Sequence, residues 1–442
     1  MATLLTAAIA LTAPTAHAAQ YAVFTSSISA SSINAADNYC SLAEAVKSIN
    51  QGSPVANCID EDTTNPGRID LTQTAAKPYA SFHYVLGGTT LTLSRSILIT
   101  TAEEGDTAYI DASGLLAIMV NSGVTANFYG LDIRHTGTAN GRLVWNAGTL
   151  DMSSTTIRNG NVTGQPLGKG GGIYNQGLLS LYSCQLLNNS AKRGGGIYND
   201  DGHVPYLDAT ISGNSATMAG GGIYNMSTGN DQNMNAKAFM GLSGTITGNS
   251  AKAGGGVFNT GEMEVMGATS ITSNVASGTG SGETCQPGPC APGQTCQSVP
   301  CDGFGGGVLN LDFADVISAF RTNDFVTVSL NTATGFGGAF YSEGQLNLTG
   351  IQIASNTAKS GAAIFAAALV LPGDTKSNYC TVTSDLGQSS INSNRTVPSG
   401  GYSIVDSSGA GATHCTFAVS ASGNTTPKCN PAGLIPGNSC PQ

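Results

Sequence analysis

The chain has 442 residues with 59 glycines, 16 prolines and only 10% charged residues, about twice the glycine and under half the charge of an average globular protein. That excludes an ordinary helical enzyme, which is built on Ala, Leu, Glu, Lys and Arg, while the 40% hydrophobic content excludes a disordered chain. A net charge of -10 excludes a nucleic-acid binder, which needs a clustered basic surface, and leaves turn-rich β structure as the expectation.

Residues 1–18 read as a signal peptide: an apolar run from Leu4 to Leu11 closes in Ala16-His17-Ala18, although no Lys or Arg stands before Lys47. The longest other apolar run, Ala362 to Leu371, is about half of the roughly twenty residues that a membrane-spanning helix needs, so no transmembrane anchor is expected. Residues 19–108 are expected to form an N-terminal cap. Within it, Ser41-Leu42-Ala43-Glu44 spells a capping box, and Leu42, Ala45, Val46 and Ile49 make one apolar helical stripe that Gly52 stops. A bridge from Cys40 to Cys58 would tie that helix down.

Residues 109–405 carry a repeat. Gly170-Gly171-Gly172-Ile173-Tyr174-Asn175 recurs at 194–199 and 220–225, then in altered form at 254–259, 305–310, 337–342 and 361–366. Between these phrases stand Asn189, Asn214, Asn249, Asn274, Asn331, Asn356 and Asn394, each with an apolar residue three places earlier: Leu186, Ile211, Ile246, Ile271, Val328, Ile353 and Ile391. The asparagines step by 25, 35, 25, 57, 25 and 38. A unit of about 25 residues that tolerates insertions is the mark of a solenoid whose loops leave at corners.

Within a unit, Gly-Ile-Tyr-Asn-x-Gly-x-Leu-x-Leu alternates with period two, which is strand patterning. Short strands that cannot bury a face alone enclose a core when wound into coils. The expected fold is therefore all-β: a right-handed parallel β-helix of about ten coils, with a short N-terminal capping helix and a disulfide-tied C-terminal cap. The repeated Asn and Gly are expected at left-handed corners, with the Asn amides bonded from coil to coil. Cys184 shares the inward parity of Leu186 and should be a small buried hydrophobe.

Ten of the eleven cysteines fall into close groups, which suits an oxidising compartment and four to five disulfides. Besides Cys40 and Cys58 they are Cys285, Cys290, Cys296 and Cys301 in an insertion near 277–304, Cys380 with Cys415, and Cys429 with Cys440 in a tail at 406–442. The spacing of the central four is not that of a zinc site, and their connectivity stays open.

One further column runs along the repeat: Tyr174, Tyr198, Tyr224, Phe258, Leu309, Tyr341 and Phe365 each follow the apolar residue of the glycine phrase. With Ile173 inward, this column faces outward, where aromatic rings stack on sugars or dock a partner; turned inward or under a loop it is packing.

Tyr39-Cys40-Ser41-Leu42-Ala43-Glu44-Ala45-Val46 resembles the CSLREA domain near the N-terminus of bacterial exported β-helix proteins, with Ala43 where that family usually has Arg. The glycine phrases resemble the repeats of the same proteins and, more distantly, those of chlamydial polymorphic outer-membrane proteins. The resemblance spans residues 39–405 and implies a β-helix, export, and an adhesin-like surface role. Polymorphic proteins end in an autotransporter barrel, and no such strands are expected here.

Right-handed β-helices also house pectate lyases and polygalacturonases. Asn199-Asp200-Asp201-Gly202-His203 offers two carboxylates, but in one turn and not on successive coils; glycoside hydrolysis needs them across the scissile bond. For lyase chemistry, Arg134, Arg158 and Arg193 are candidate bases and Asp132 and Asp151 candidate ligands of calcium, which could also sit at Asp60-Glu61-Asp62 or Glu103-Glu104-Asp106. No acid repeats at the coil period. The reading is a secreted or cell-surface, non-catalytic β-helix, adhesin-like or scaffold, without catalytic residue, metal or cofactor. A glycan or a host or matrix surface is its expected partner. The alternatives are a polysaccharide lyase or hydrolase, and a self-assembling structural protein.

Overall fold

The structure is a computed structural model that describes residues 21–24, 40–55, 58, 67–72, 82–101, 107–137, 140–228, 238–278, 284–285, 299–300, 302–311, 318–322, 325–366, 380–383, 389–397, 404–406, 416–418 and 420–422. The central coils run through three strands, and in later coils the long strand is split in two, as at Gln345–Thr349 and Ile351–Ala354. A triplet such as Ile173–Asn175 leads into a long strand such as Leu178–Leu187, and a short strand such as Ser190–Arg193 closes the coil. The triplets stack into an 11-stranded sheet and the short strands into a 7-stranded one, while the long strands join a 21-stranded sheet that bends round the coil. Among the described residues the strands of successive coils pair in parallel, with one isolated antiparallel bridge between Gly141 and Asn161, and Thr284–Cys285 pairs antiparallel with Val299–Pro300. The chain is thus an all-β parallel solenoid.

The core follows the period-two pattern. Ile173, Ile197, Ile223, Val257, Val308, Phe340 and Ile364 pair in register on the triplet face. Leu186, Ile211, Ile246, Ile271, Val328, Ile353 and Ile391 do the same on the long-strand face, and all fourteen are fully buried. Burying each such side chain contributes about 1.5–3 kcal/mol before chain entropy is charged against it. Cys184 pairs with Ala209, is buried, and carries a thiol that burial pushes up to about 11.

The asparagines of the short-strand corner form a continuous buried column. Asn189 donates from its backbone N and its Nδ2 to Oδ1 of Asn214, at 2.9 and 3.0 Å, and from Nδ2 to the Ile157 carbonyl at 3.0 Å. The amide-to-amide bond repeats from Asn214 to Asn249, Asn274, Asn331, Asn356 and Asn394. It does so across intervals of 25, 35 and 57 residues alike, so insertions leave the stack undisturbed.

These asparagines are not the left-handed corners that the repeat suggests. The positive φ falls one residue earlier, at Asn188, Gly213, Gly248, Ser273, Leu330, Ser355 and Ser393. The reason is geometric: the corner turns the chain, and the next residue must already be extended for its amide to reach both the coil before and the coil after. The other corner has glycine at the equivalent turn, as at Gly170, Gly194 and Gly220.

At the N-terminal end, helix Leu42–Gln51 starts in a capping box, with Ser41 N donating to Glu44 Oε2 at 2.7 Å and Glu44 N donating to Ser41 Oγ at 3.2 Å. Gly52 ends it with φ 69. Leu42, Ala45, Val46 and Ile49 are buried, the Asn50 amide donates to the Thr92 carbonyl at 2.7 Å, and a Cys40–Cys58 disulfide fastens the segment. Cys285 and Cys380 lie on described strands, but their side chains are not described. Cys290, Cys296, Cys301, Cys415, Cys429 and Cys440, residues 1–18 and both acidic loops at 60–62 and 103–106 lie outside the described residues.

Candidate binding face

The aromatic column exists but is not a surface. Trp145, Tyr174, Tyr198, Tyr224, Phe258, Leu309, Tyr341 and Phe365 stand in register on the triplet strands, opposite the coil core. Tyr198, Tyr224 and Phe258 are each 1% exposed, Tyr174 and Tyr341 are buried, and Phe365 is half-buried. Their ring faces are spent on each other, with Tyr198 to Tyr224 at 4.8 Å and Tyr224 to Phe258 at 4.4 Å. Ala219, Met226, Ala253 and Leu311 complete this second hydrophobic cluster. The expectation of an open aromatic stripe for sugar stacking is therefore corrected: parity puts these rings outside the coil core, where they pack with each other and with Ala219, Met226, Ala253 and Leu311.

A second asparagine column runs beside it. Asn146, Asn175, Asn199, Asn225, Asn259 and Asn310 bond amide to amide, and Ser342 takes the last place. The terminal Asn of each glycine phrase is the sequence signal for it.

The polar turn at 199–203 splits three ways. Asp200 Oδ2 accepts from Tyr174 OH at 2.5 Å and from Lys169 Nζ at 3.2 Å. Asp201, with φ 53, accepts from Thr228 N and Oγ1 at 2.7 and 2.6 Å, while His203 stacks on Phe239 at 5.1 Å. Each carboxylate is committed to a different neighbour, so this turn offers no facing acid pair. Around Tyr174, the Arg142 guanidinium lies 4.8 Å from the ring centroid, and burial lowers Arg142 to about 10.

Of the candidate lyase residues, the fold gathers Asp132, Arg134 and Arg158 and leaves Asp151 and Arg193 on other strands. Arg158 Nε donates to both oxygens of Asp132 at 2.9 and 3.0 Å, a bond that holds the guanidinium above its ordinary range. Arg134 Nε donates to Asp111, whose other oxygen meets His83 Nδ1 at 2.7 Å; Arg134 also lies 4.4 Å over the Tyr109 ring. Burial raises Asp111, but the bonds and charges of Arg134 and His83 outweigh it and hold the carboxyl below its ordinary range. Both guanidinium groups are thus engaged by carboxylates. Among the described residues no group of three or more His, Cys, Asp or Glu is placed to hold a metal ion.

The open aromatic surface is elsewhere, on the outer face of the long strands. Tyr182 is 42% exposed and Tyr206 39%; they stack at 4.7 Å, with Leu178 and the His203–Phe239 pair beside them. Both tyrosines stand at bulges. Tyr182 and Ser183 oppose the single Asp208, because pairing resumes at Cys184 with Ala209. Pro205 and Tyr206 oppose the single Gly241, between the pairs Val204–Met240 and Leu207–Leu242. A bulge re-aims side chains and strengthens local twist. A Cβ on Gly241 would lie 2.6 Å from Met266 Cε and from the Pro205 carbonyl, so glycine is required for this close approach. An extra residue shows only in the pairing, which is why sequence parity does not single out this face.

A family model for the repeat of the Chlamydia polymorphic membrane protein matches residues 208–226, which begin at the end of one long strand and close on the next triplet. No curated protein matches the chain. Among solved structures, one described as the Dettilon tailspike protein (gp208) is 11% identical, with a TM-score of 0.37, over 92% of this chain and 68% of the other. No helix among the described residues is long and apolar enough to cross a membrane.

Proposed function

We propose that the chain is a secreted or cell-surface β-solenoid, adhesin-like or an extracellular scaffold, that binds its partner without cutting it. The observation that carries this reading is the outer face of the long strands, where Tyr182 and Tyr206 stack in the open and Leu178 and His203 are exposed on the same strands, while the carboxylates at 200 and 201 diverge. A disulfide suits an oxidising compartment, and the short match to a polymorphic membrane protein repeat supports a surface setting. A leader at 1–18, a cap at 19–108, a solenoid at 109–405 and a tail at 406–442 complete the proposal.

Two experiments test it together. Cell fractionation with protease accessibility should find the chain outside the cytoplasm. An array of glycans and matrix proteins, run beside a polysaccharide depolymerisation assay, should give binding that Tyr182→Ala or Tyr206→Ala weakens, with no product formed. Depolymerisation of any glycan would replace this reading with the hydrolase or lyase one.

A further inference from the structure

The open face has a charge pattern of its own. Its strands contribute segments 149–153, 178–182, 203–208, 239–243 and 262–266, which contain Asp151, Asp208, Glu262 and Glu264 and neither Lys nor Arg. The first cation along the ladder is Arg321, whose Nη1 lies 2.5 Å from Glu262 Oε1. Asp208 accepts from Ser183 N at 3.1 Å, and Asp151 lies in register with Ser180, which itself pairs with Tyr206. Carboxylates therefore flank a pair of exposed phenol rings on both sides.

Rings and carboxylates together recognise an amine: an ammonium group over a tyrosine face gains from the ring quadrupole, and a nearby carboxylate adds charge. The stacked tyrosines cover each other on one side. Their remaining faces look along the rod, Tyr182 toward the rung of Ser153, its register neighbour, and Tyr206 toward the rung of Gly241. Ser153 leaves the place beside Tyr182 free for a pyranose ring, whereas the place above Gly241 is taken by Met266, whose Cε lies 2.6 Å from where a Cβ would stand. Two coils advance about 10 Å, a step on the scale of a disaccharide, so a repeating sugar chain laid along the rod meets the patch in phase with the coils. A peptide that adds as a strand needs a free sheet edge, and the backbone here is already paired on both sides.

We infer that this face binds a polymer of amino sugars carrying free amines, an inference that rests on the surface-binding reading above and names its ligand class. The test uses the full chain with four probes: β-1,4-linked glucosamine oligomers, the same oligomers fully N-acetylated, a polyuronate, and a lysine-rich peptide. Calorimetry at low and high salt should show binding of the glucosamine oligomer, weaker binding of the N-acetylated one, and none of the polyuronate. Tyr182→Ala should weaken the glucosamine oligomer about fivefold, and Asp151→Asn should weaken it without altering the N-acetylated oligomer. Unchanged thermal unfolding of both variants excludes misfolding as the cause. Equal affinity for both oligomers, tight polyuronate binding, or binding of the peptide alone overturns the amino-sugar inference while leaving the surface-binding reading in place. Silence across these probes and the whole glycan and matrix array overturns both.

Discussion

Replacing Asn249 by Ala removes the centre of the buried amide column. Its Oδ1 accepts from Asn214 N and Nδ2 at 2.9 and 3.0 Å, and its Nδ2 donates to Asn274 Oδ1 and the Ile211 carbonyl, both at 2.9 Å. All four bonds are lost in a site closed to water, although Asn214 Nδ2 keeps the Leu186 carbonyl and Asn274 Oδ1 keeps the Asn249 backbone N. At a net ~1 kcal/mol for each hydrogen bond, with more for buried groups left unpaired, the loss is about 4 kcal/mol. The assay is urea unfolding followed by circular dichroism, with Ser250→Ala on the adjacent exposed position as control. Asn249→Asp refines the result. The charged carboxylate would face acceptors at Asn274 and Ile211, so the folded state raises its pKa above the unfolded value of about 4. Stability should then be retained below that value and lost as pH rises through the folded one. If Asn249→Ala unfolds within about 1 kcal/mol of the parent, the amide column does not hold the coils together and the reasoning is refuted.

Other positions give further tests. Leu330 is 58% exposed at φ 58, where its counterparts are Asn, Gly or Ser; relief of left-handed strain predicts that Leu330→Asn stabilises by about 0.5–1 kcal/mol, read as a higher unfolding midpoint. Cys184, with its thiol pushed up to about 11, should resist iodoacetamide in the native protein at pH 8 and react after denaturation, as peptide mapping would show. Asp111 is held low by Arg134 and His83, so its contribution is present above the unfolded value of about 4 and lost as pH falls below it. Asp111→Asn should accordingly flatten the acid limb of a melting-temperature profile, and an unaltered limb would count against the ion pair.

The period-two reading placed Ile173, Leu179 and Leu181 inward because parity is a local property: once Ile173 faces in, Tyr174 faces out. Whether an outward residue meets water depends on what passes over it. The residues packed with Tyr198 and Tyr224 include Ala219, at the end of strand Ser215–Ala219, Ala253, bridged to it from the next coil, and Met226, at the end of strand Ile223–Met226, none of which belongs to the alternating pattern. The Tyr182–Tyr206 pair hides for the converse reason, since its exposure arises from extra residues that only the register with the next coil reveals. The corner residues show the same limit. Composition allowed Asn at the left-handed turn, but the amide column requires an extended Asn, and the turn moves one residue back, where even Leu330 must comply.

Stability and the proposed recognition fall on different surfaces of the same strands. Inward, the isoleucine rows and both amide columns repeat without interruption even where 57 residues separate successive asparagines. Irregularity gathers on the outer long-strand face, with successive bulges at Tyr182, at Tyr206 and between Leu242 and Gly244. A bulge interrupts ladder bonds and lowers local regularity, a cost that the uninterrupted inner rows can carry because each coil is held mainly by its two neighbours. The bulged strands Leu178–Leu187 and His203–Ser212 lie well inside the stack, with paired coils on both sides of each. That placement gives the tyrosine pair a rigid base, which the proposed binding of a sugar chain on a shallow, open face requires.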